Sequence, residues 1–360
     1  MHHISRKGTF DFTYRLFSIK DIEQWLVHNV ENGLSDKVIS RSRALAFIRN
    51  PHAQQDDAAL VVVYNAQNEA VGYTGAYAEE WCQPIVDGRY FWGSTQWMDL
   101  QYRGKGVSGK MMRMIKDAVE DKYIALDSSP ASCRLDEKQG SIISYYPRYF
   151  IVLKGDDKSF KSKVKNTQSA LSIKKALQSL LDFDYTNRYV SLIDDETYAF
   201  IVEHSKKDLF LRKQDYLNWQ MRYPFVVPTG GDKKADAERC EFGECVNRLQ
   251  THMVQVFSGG KMCGFYVLRI VNSVCSTWYL YYDGSAREQV FASVAAKVLQ
   301  LNDVSKFHTF NKDLFDFINR MGVKSQFSKN QVEQISLTVP SGFEVDASLR
   351  IHGGDGDIIC

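Results

Sequence analysis

The chain has 360 residues, 44% of them hydrophobic and 24% charged, and Lys+Arg 45 against Asp+Glu 43 leave a formal net charge of +2. That composition excludes a chain disordered throughout, and so small a net charge gives no warrant for general nucleic-acid binding. The length suggests two domains, and no apolar run of about 18 residues occurs, so no membrane span is expected.

Residues 10–18 place Phe10, Phe12, Tyr14 and Leu16 at every second position and predict a strand. Residues 19–32 set Ile22, Trp25, Leu26 and Val30 at helical spacing, and residues 42–49 predict a second helix, stopped by Pro51. The valine-rich run 59–64, the turn 65–68 and residues 70–77 read as a hairpin. A strand over 89–100, a helix over 110–121 with Met111, Met112, Ile115 and Val119 on one face, a strand over 123–126 and a strand over 145–153 complete this unit. Residues 156–165 are polar and basic and read as a solvated linker, with a short helix over 170–181 behind it.

The second half repeats the grammar of the first. A helix over 216–223 ends at Pro224, and a hairpin over 252–270 turns at Gly259 and Gly260. A strand over 276–283, a helix over 286–299, a strand over 306–311 and a helix over 313–322 follow. Val63-Tyr64 corresponds to Val256-Phe257, and Gly72-Tyr73 to Gly264-Phe265. Residues 225–248, with Gly230, Gly231 and Asp232, read as an inserted loop. We therefore expect a diverged duplication of one α/β unit. The boundaries are a first domain over 1–155, a polar linker and helix over 156–184, and a second domain over 185–360.

The seven cysteines are dispersed, and the nearest pair, Cys240 and Cys245, has no second pair or histidine to complete a zinc site. They read as free thiols of a reducing cytoplasm, and no metal is expected. The first eight residues lack the apolar run of a secretory signal. There is no HExxH, no GxSxG elbow and no P-loop.

The most informative stretch runs from Met98 through Asp99, Leu100, Gln101, Tyr102, Arg103, Gly104, Lys105, Gly106, Val107, Ser108 and Gly109 to Lys110. It follows a strand and opens a helix. Three glycines in six residues let the backbone turn tightly with its N–H groups on one side, where the helix terminus favours a phosphate. Arg103, Lys105 and Lys110 add positive charge. The spacing also fits a dinucleotide fingerprint, but that motif belongs after the first strand of its fold, and this loop follows a hairpin.

This stretch resembles the acyl-CoA loop of the GNAT N-acetyltransferases, R/Q-x-x-G-x-G/A after the fourth strand. Two frames fit: Arg103-x-x-Gly106-x-Ser108, and Gln101-x-x-Gly104-x-Gly106. The resemblance covers residues 10–153. It implies a mixed α/β (α+β) architecture of two tandem GNAT-like units, each a mostly antiparallel sheet flanked by helices. The second unit would be degenerate, because its loop position, Tyr282 to Glu288, holds one glycine.

The resemblance further implies acetyl-CoA as donor and a small-molecule acceptor, such as an amino sugar, whose amine or hydroxyl attacks directly. Met98, Leu100, Arg103, Gly104, Lys105, Gly106, Val107, Ser108 and Ser129 would hold the donor, with an N–H near Met98 on the thioester oxygen. Where the family often has a tyrosine acid stands Asp136, in Ser129 to Gly140; Tyr145 or Tyr146 could take its place, or the thiolate could leave unassisted. The family's glutamate base falls at Trp92, leaving Asp99 and Glu80 as nearby carboxylates. Trp81, Tyr90, Phe91, Trp92 and Trp97 read as core or as an acceptor wall, and the D-x-D tail, Asp355 and Asp357, as a solvated end. The runner-up readings are a non-catalytic acyl-CoA-binding protein of the same fold and a Fem-type aminoacyl transferase.

Overall fold

The computed structural model describes residues 11–82, 87–155, 159–228, 245–323, 331–343 and 349–356. In chain order the first half contains β1 (Thr13–Ser18), α1 (Ile19–Leu26), α2 (Arg41–Arg49), β2 (Ala58–Tyr64), β3 (Ala70–Cys82) and β4 (Asp87–Met98). α3 (Val107–Ala118), β5 (Tyr123–Leu126), α4 (Pro130–Lys138), β6 (Ile142–Val152) and α5 (Phe160–Ser179) follow. The second half contains β7 (Thr186–Val190), α6 (Asp195–His204), α7 (Gln214–Arg222), β8 (Val227–Pro228) and β9 (Cys245–Val246). It continues with β10 (Leu249–Ser258), β11 (Lys261–Val271), β12 (Val274–Tyr282), α8 (Arg287–Gln300), β13 (Lys306–Thr309), α9 (Lys312–Arg320) and β14 (Val332–Val339).

Twelve strands form one sheet in the order β1-β2-β3-β4-β5-β14-β6-β13-β12-β11-β10-β7. The order reads equivalently from either end, with β1 answering β7, β4 answering β12 and β5 answering β13. At the centre each half lends a strand to the other. β14, from the second half, lies beside β5, while β6, from the first, lies beside β13, and the two pair antiparallel from Val332↔Tyr149 to Val339↔Ile142. The boundary drawn at residue 155 thus follows the chain but not the sheet, which is continuous across both units.

The duplication is visible in local irregularities. The β2–β3 ladder shifts register between Val63 and Tyr64, opposite Gly72, and the β10–β11 ladder shifts between Val256 and Phe257, opposite Gly264. A bulge strengthens local twist, and it recurs at the equivalent place in each half of the sheet.

One face of the first unit packs Phe47, Tyr73, Tyr77 and Trp92 against Trp219 of α7, and the other packs Val61, Val63 and Phe91 against Met111, Met112 and Ile115 of α3. In the second unit α8 and α9 cover one face with Phe291, Val294 and Phe317.

Several expectations need correction. α1 stops at Leu26 rather than near Asn32, because Asn29 is left-handed (φ +53°) and the Val30 amide turns back to the Gln24 carbonyl at 3.0 Å. Helix α5 begins ten residues before the expected 170: Ser159 caps it through the Ser162 amide, and Ala176 and Leu180 bury into the second unit's core. β7, α6 and β14 were not expected. Gly230, Gly231 and Asp232 of the inserted loop lie outside the described residues, as do Phe10 and Asp357.

The described part of the tail, up to Gly356, is not a solvated end. Residues 351–355 are buried, and Asp355 has no exposed surface. Its carboxylate lies 2.5 Å from Arg212, whose Nε lies 2.9 Å from Glu79 on β3. A buried guanidinium between two carboxylates offsets desolvation that none of the three would survive alone.

At the join between halves, His308 of β13 is buried, and burial together with Lys306 and Arg148 pushes its pKa down to about 3. The unfolded chain takes up this proton near 6.5. Its contribution is therefore complete above 6.5 and is lost as the pH falls from there towards the folded value. We expect stability to urea to fall by about 1 kcal/mol per pH unit below 6.5 from this residue, and His308→Gln to remove that part of the slope.

Candidate functional site

β4 and β5 run parallel, but they pair only at Phe91↔Tyr123 and Trp92↔Ile124. Beyond Trp92 the strands part. Thr95 carries φ +37°, and the β3–β4 register shifts between Thr74 and Gly75, so β4 turns away from β5, whose other edge is held by β14. The gap is a cleft of about 340 Å³, lined among others by Ser94, Gln96, Tyr123, Ser129, Ser132 and Asp136.

The end of β4 has a defined polarity. Met98 faces Gly72, and the Asp99 amide donates to the Val71 carbonyl at 2.9 Å. In an antiparallel ladder this makes Gly72–Met98 the pair that exchanges no hydrogen bonds. The amide and carbonyl of Met98 therefore point away from β3. The carbonyl accepts from Arg103 Nε at 2.9 Å, and the amide faces the gap.

Asp99 then caps a 3-10 turn (Leu100–Tyr102) through the Gln101 amide, so its carboxylate serves the turn. Residues 103–106 cross to α3. Gly104 and Gly106 have φ +76° and +81°, a region that costs other residues about 1–2 kcal/mol, and a Cβ at either would meet nothing within 4 Å. Gly106 is the N-cap and offers no side chain to the helix. The first carbonyl bond of the helix is Lys110 N to Gly106 O at 3.2 Å, which leaves the amides of Val107, Ser108 and Gly109 as open donors at the positive end of the dipole. Arg103, Lys105 and Lys110 are exposed around them, and Leu100 projects into solvent. Open amides, left-handed glycines and three cations fit a diphosphate.

The second unit lacks this device. Asp283 caps its turn through Ser285 as Asp99 does through Gln101, and its amide donates to Cys263 as that of Asp99 does to Val71. But α8 starts at Arg287, directly after the turn Gly284–Ala286, with no residues corresponding to 103–106.

The acid and base candidates are dispersed. Asp136, on α4, lines the cleft; burial pushes its carboxyl up, and Lys116 at 2.7 Å restrains the rise. Lys116 is itself buried on α3 and donates to Ser141 at 2.8 Å. Ser129 caps α4 through the Ser132 amide, and the Ser132 hydroxyl donates to Gln96 across the cleft at 3.0 Å. Tyr145 and Tyr146 are not among the lining residues. They sit on β6, and β14 stands between β6 and β5, which places them two strand spacings, about 10 Å, from the cleft edge. Tyr145 is 60% exposed, while Tyr146 points into the core on the opposite face.

Glu80 pairs opposite Arg89, at the other end of the ladder from Met98, and its carboxylate is taken by Lys213 at 2.5 Å. Trp92, at the position of the implied base, is buried and donates its indole N–H to Glu79, a buried carboxylate the spacing did not single out. Phe91 and Trp92 are core, Tyr90 packs on Phe343, and Trp97 stacks on Tyr73; the Trp81 side chain lies outside the described residues.

The structure of Saccharomyces cerevisiae N-myristoyltransferase with bound myristoyl-CoA aligns at a TM-score of 0.52 with 10% identity, over 94% of this chain and 85% of that one. A Pyrococcus horikoshii protein assigned as an acetyltransferase aligns at 0.50 with 12% identity, over 98% of both chains. A GCN5-related N-acetyltransferase from Kribbella flavida aligns at 0.48 with 14% identity, over 94% and 73%. The fold is that of the GNAT acyltransferases, in two units. No protein-family profile and no curated protein matches the sequence. Within this fold the glycine-rich loop at residues 103–106 belongs to the first unit, and the second unit has no counterpart of it. Among the described residues no helix is long and apolar enough to cross a membrane, and no side-chain cluster could hold a metal ion.

Proposed function

We propose that the first unit transfers an acyl group from an acyl-CoA to an amine or hydroxyl of a small-molecule acceptor, with acetyl-CoA as the donor tested first. The observation that carries this reading is the Met98 amide, turned into the gap that β4 opens on leaving β5, with the open helix terminus of α3 at the end of the same strand. In this reading the diphosphate lies on the open amides of Val107, Ser108 and Gly109, beside Arg103 and Lys105. The pantetheine arm follows β4 past Leu100, with Ser129 across the cleft. The Met98 N–H would strengthen its bond to the thioester oxygen as negative charge develops there. The acceptor attacks the thioester carbon directly, the C–S bond breaks, the CoA thiolate leaves, and the proton shed by the acceptor nitrogen or oxygen passes to solvent. Asp136 is the carboxyl that lines the cleft, and it protonates that thiolate only in its neutral form, which burial favours and the Lys116 ammonium opposes. Positioning supplies most of the rate.

A second reading, acyl-CoA binding without transfer, is favoured by the closed Lys116–Asp136 pair. Calorimetric titration with acetyl-, longer acyl- and desulfo-CoA, followed by thiol release with a panel of amines, separates them. Saturable binding with amine-dependent thiol release supports transfer. Binding without release supports the second reading, and absence of binding overturns both.

A further inference from the structure

The two halves treat equivalent gaps differently. β12 and β13 pair at Val274↔Lys306, Cys275↔Phe307 and Ser276↔His308, then part as β4 and β5 do. In the first unit the gap is an open cleft. In the second it is filled by the chain's own tail. The Gly354 amide donates to the Trp278 carbonyl of β12 at 3.0 Å, and the Gly354 carbonyl accepts from Gln220 at 2.9 Å and Tyr279 at 3.1 Å. No side chain fits there: a Cβ on Gly353 would stand 2.6 Å from the Thr277 carbonyl oxygen, and one on Gly354 about 2.5 Å from the Tyr279 ring.

Both ends of this segment are anchored by buried charge. His352 Nε2 lies 2.9 Å from Asp208, which Arg350 also holds at 2.5 Å. Asp355 joins Arg212, and through it Glu79. Glu79 receives the Trp92 indole, and Gly356 lies against Trp92 and Leu126, where an added Cβ would be 3.2 Å from each. Trp92 and Leu126 belong to β4 and β5, the strands whose parting makes the first cleft.

We propose that residues 352–355 are a built-in occupant of the second unit's strand gap, and that Arg212 is a positioning residue tying that occupant, through Glu79, to Trp92 at the point where β4 leaves β5. The segment takes the place a bound extended ligand would have on β12, closes that gap, and sets the separation of β4 and β5 through Trp92. The occupancy stands on contacts alone; the positioning role rests on the acyl-transfer reading above.

The test uses the full chain carrying Gly353→Ala, whose methyl meets backbone that cannot move aside, with Gly284→Ala, where a Cβ meets nothing within 4 Å, as control. Backbone amide exchange over 352–355 and exchange of the Trp92 indole N–H are read beside acyl-CoA affinity and transfer kinetics. We expect tail exchange about 100-fold faster in Gly353→Ala, with β10, β11 and β12 still protected. The Trp92 indole should also exchange faster, kcat should fall about tenfold, and acyl-CoA affinity should stay within about twofold. Asp355→Asn, which keeps the shape and weakens the ion pair, should give the same pattern more weakly.

Tail exchange in Gly353→Ala equal to that in Gly284→Ala overturns the occupancy. A released tail with unchanged Trp92 exchange overturns the positioning role, as does a released tail with unchanged kcat. If the wild-type protein transfers no acyl group, the proposed function fails by itself; the exchange measurements still decide whether the tail fills the gap and holds Trp92.

Discussion

Gly106→Asp is expected to weaken acyl-CoA binding by about 100-fold or more, some 2.7 kcal/mol, while the protein stays folded. The effect comes from the helix terminus. An aspartate here would set a fixed negative charge at the positive end of the helix, where the diphosphate is to lie. The fold should tolerate the change, because a Cβ at position 106 meets no atom within 4 Å, and aspartate enters the left-handed region at modest cost. Calorimetry for binding and thermal unfolding for stability separate the two effects. A variant that keeps wild-type affinity removes the loop from the donor site. Gly106→Ala, with the same strain and no charge, should lose far less.

Lys116→Ala should destabilise the protein by about 3–5 kcal/mol, read from urea unfolding at neutral pH. Lys116 and Asp136 are both buried, and their 2.7 Å pair joins α3 to α4 behind the cleft. Removing the ammonium leaves the carboxylate without its counter-charge in a place where burial already pushes its pKa up. The variant should regain part of its stability as the pH is lowered, because a neutral Asp136 needs no partner. Pairing Lys116→Met with Asp136→Leu should cost far less than the single change, since both charges then leave the interior together. A single variant as stable as the wild type would mean that the pair makes no net contribution at this site.

The glycine-rich turn before α3 was legible in the sequence because its parts are local. A glycine at positive φ, a cation and a helix start act within a few residues of one another, so Arg103, Gly104, Lys105 and Gly106 announce the turn without help from the rest of the chain. The β2–β3 and β10–β11 hairpins were legible for the same reason, and the matching shifts at Val63-Tyr64 and Val256-Phe257 show that the aligned pairs were equivalent in structure. The polar run at 156–165 misled, because its lysines and serines describe a solvated surface, and a helix can carry one as readily as a linker. What makes it helical is the packing of Ala176 and Leu180 a few turns on.

The acid and base candidates were legible only in part. Asp136 was singled out by its place in a pattern, and it does line the cleft. Tyr145 and Tyr146 were expected near the donor because β6 follows β5 along the chain. The sheet inserts β14 between them, and β14 comes from some 200 residues downstream. Glu79 and Arg212 gave no signal at all. Each is an ordinary charged residue in its own segment, and only burial side by side with Asp355 gives them a role.

The sequence by itself determined most of the elements, the repeated hairpin and the glycine-rich turn, since each depends on periodicity, turn chemistry and spacing within one stretch of chain. The tertiary structure alone decided that the halves exchange strands, that the glycine-rich tail lies inside the second unit, and which carboxylates are committed to ion pairs. Those outcomes depend on contacts between residues distant in sequence, from 75 positions for Tyr279 and Gly354 to 208 for Ser128 and Ser336. Burial there turns a polar side chain from a solvated surface group into one that must find its counter-charge.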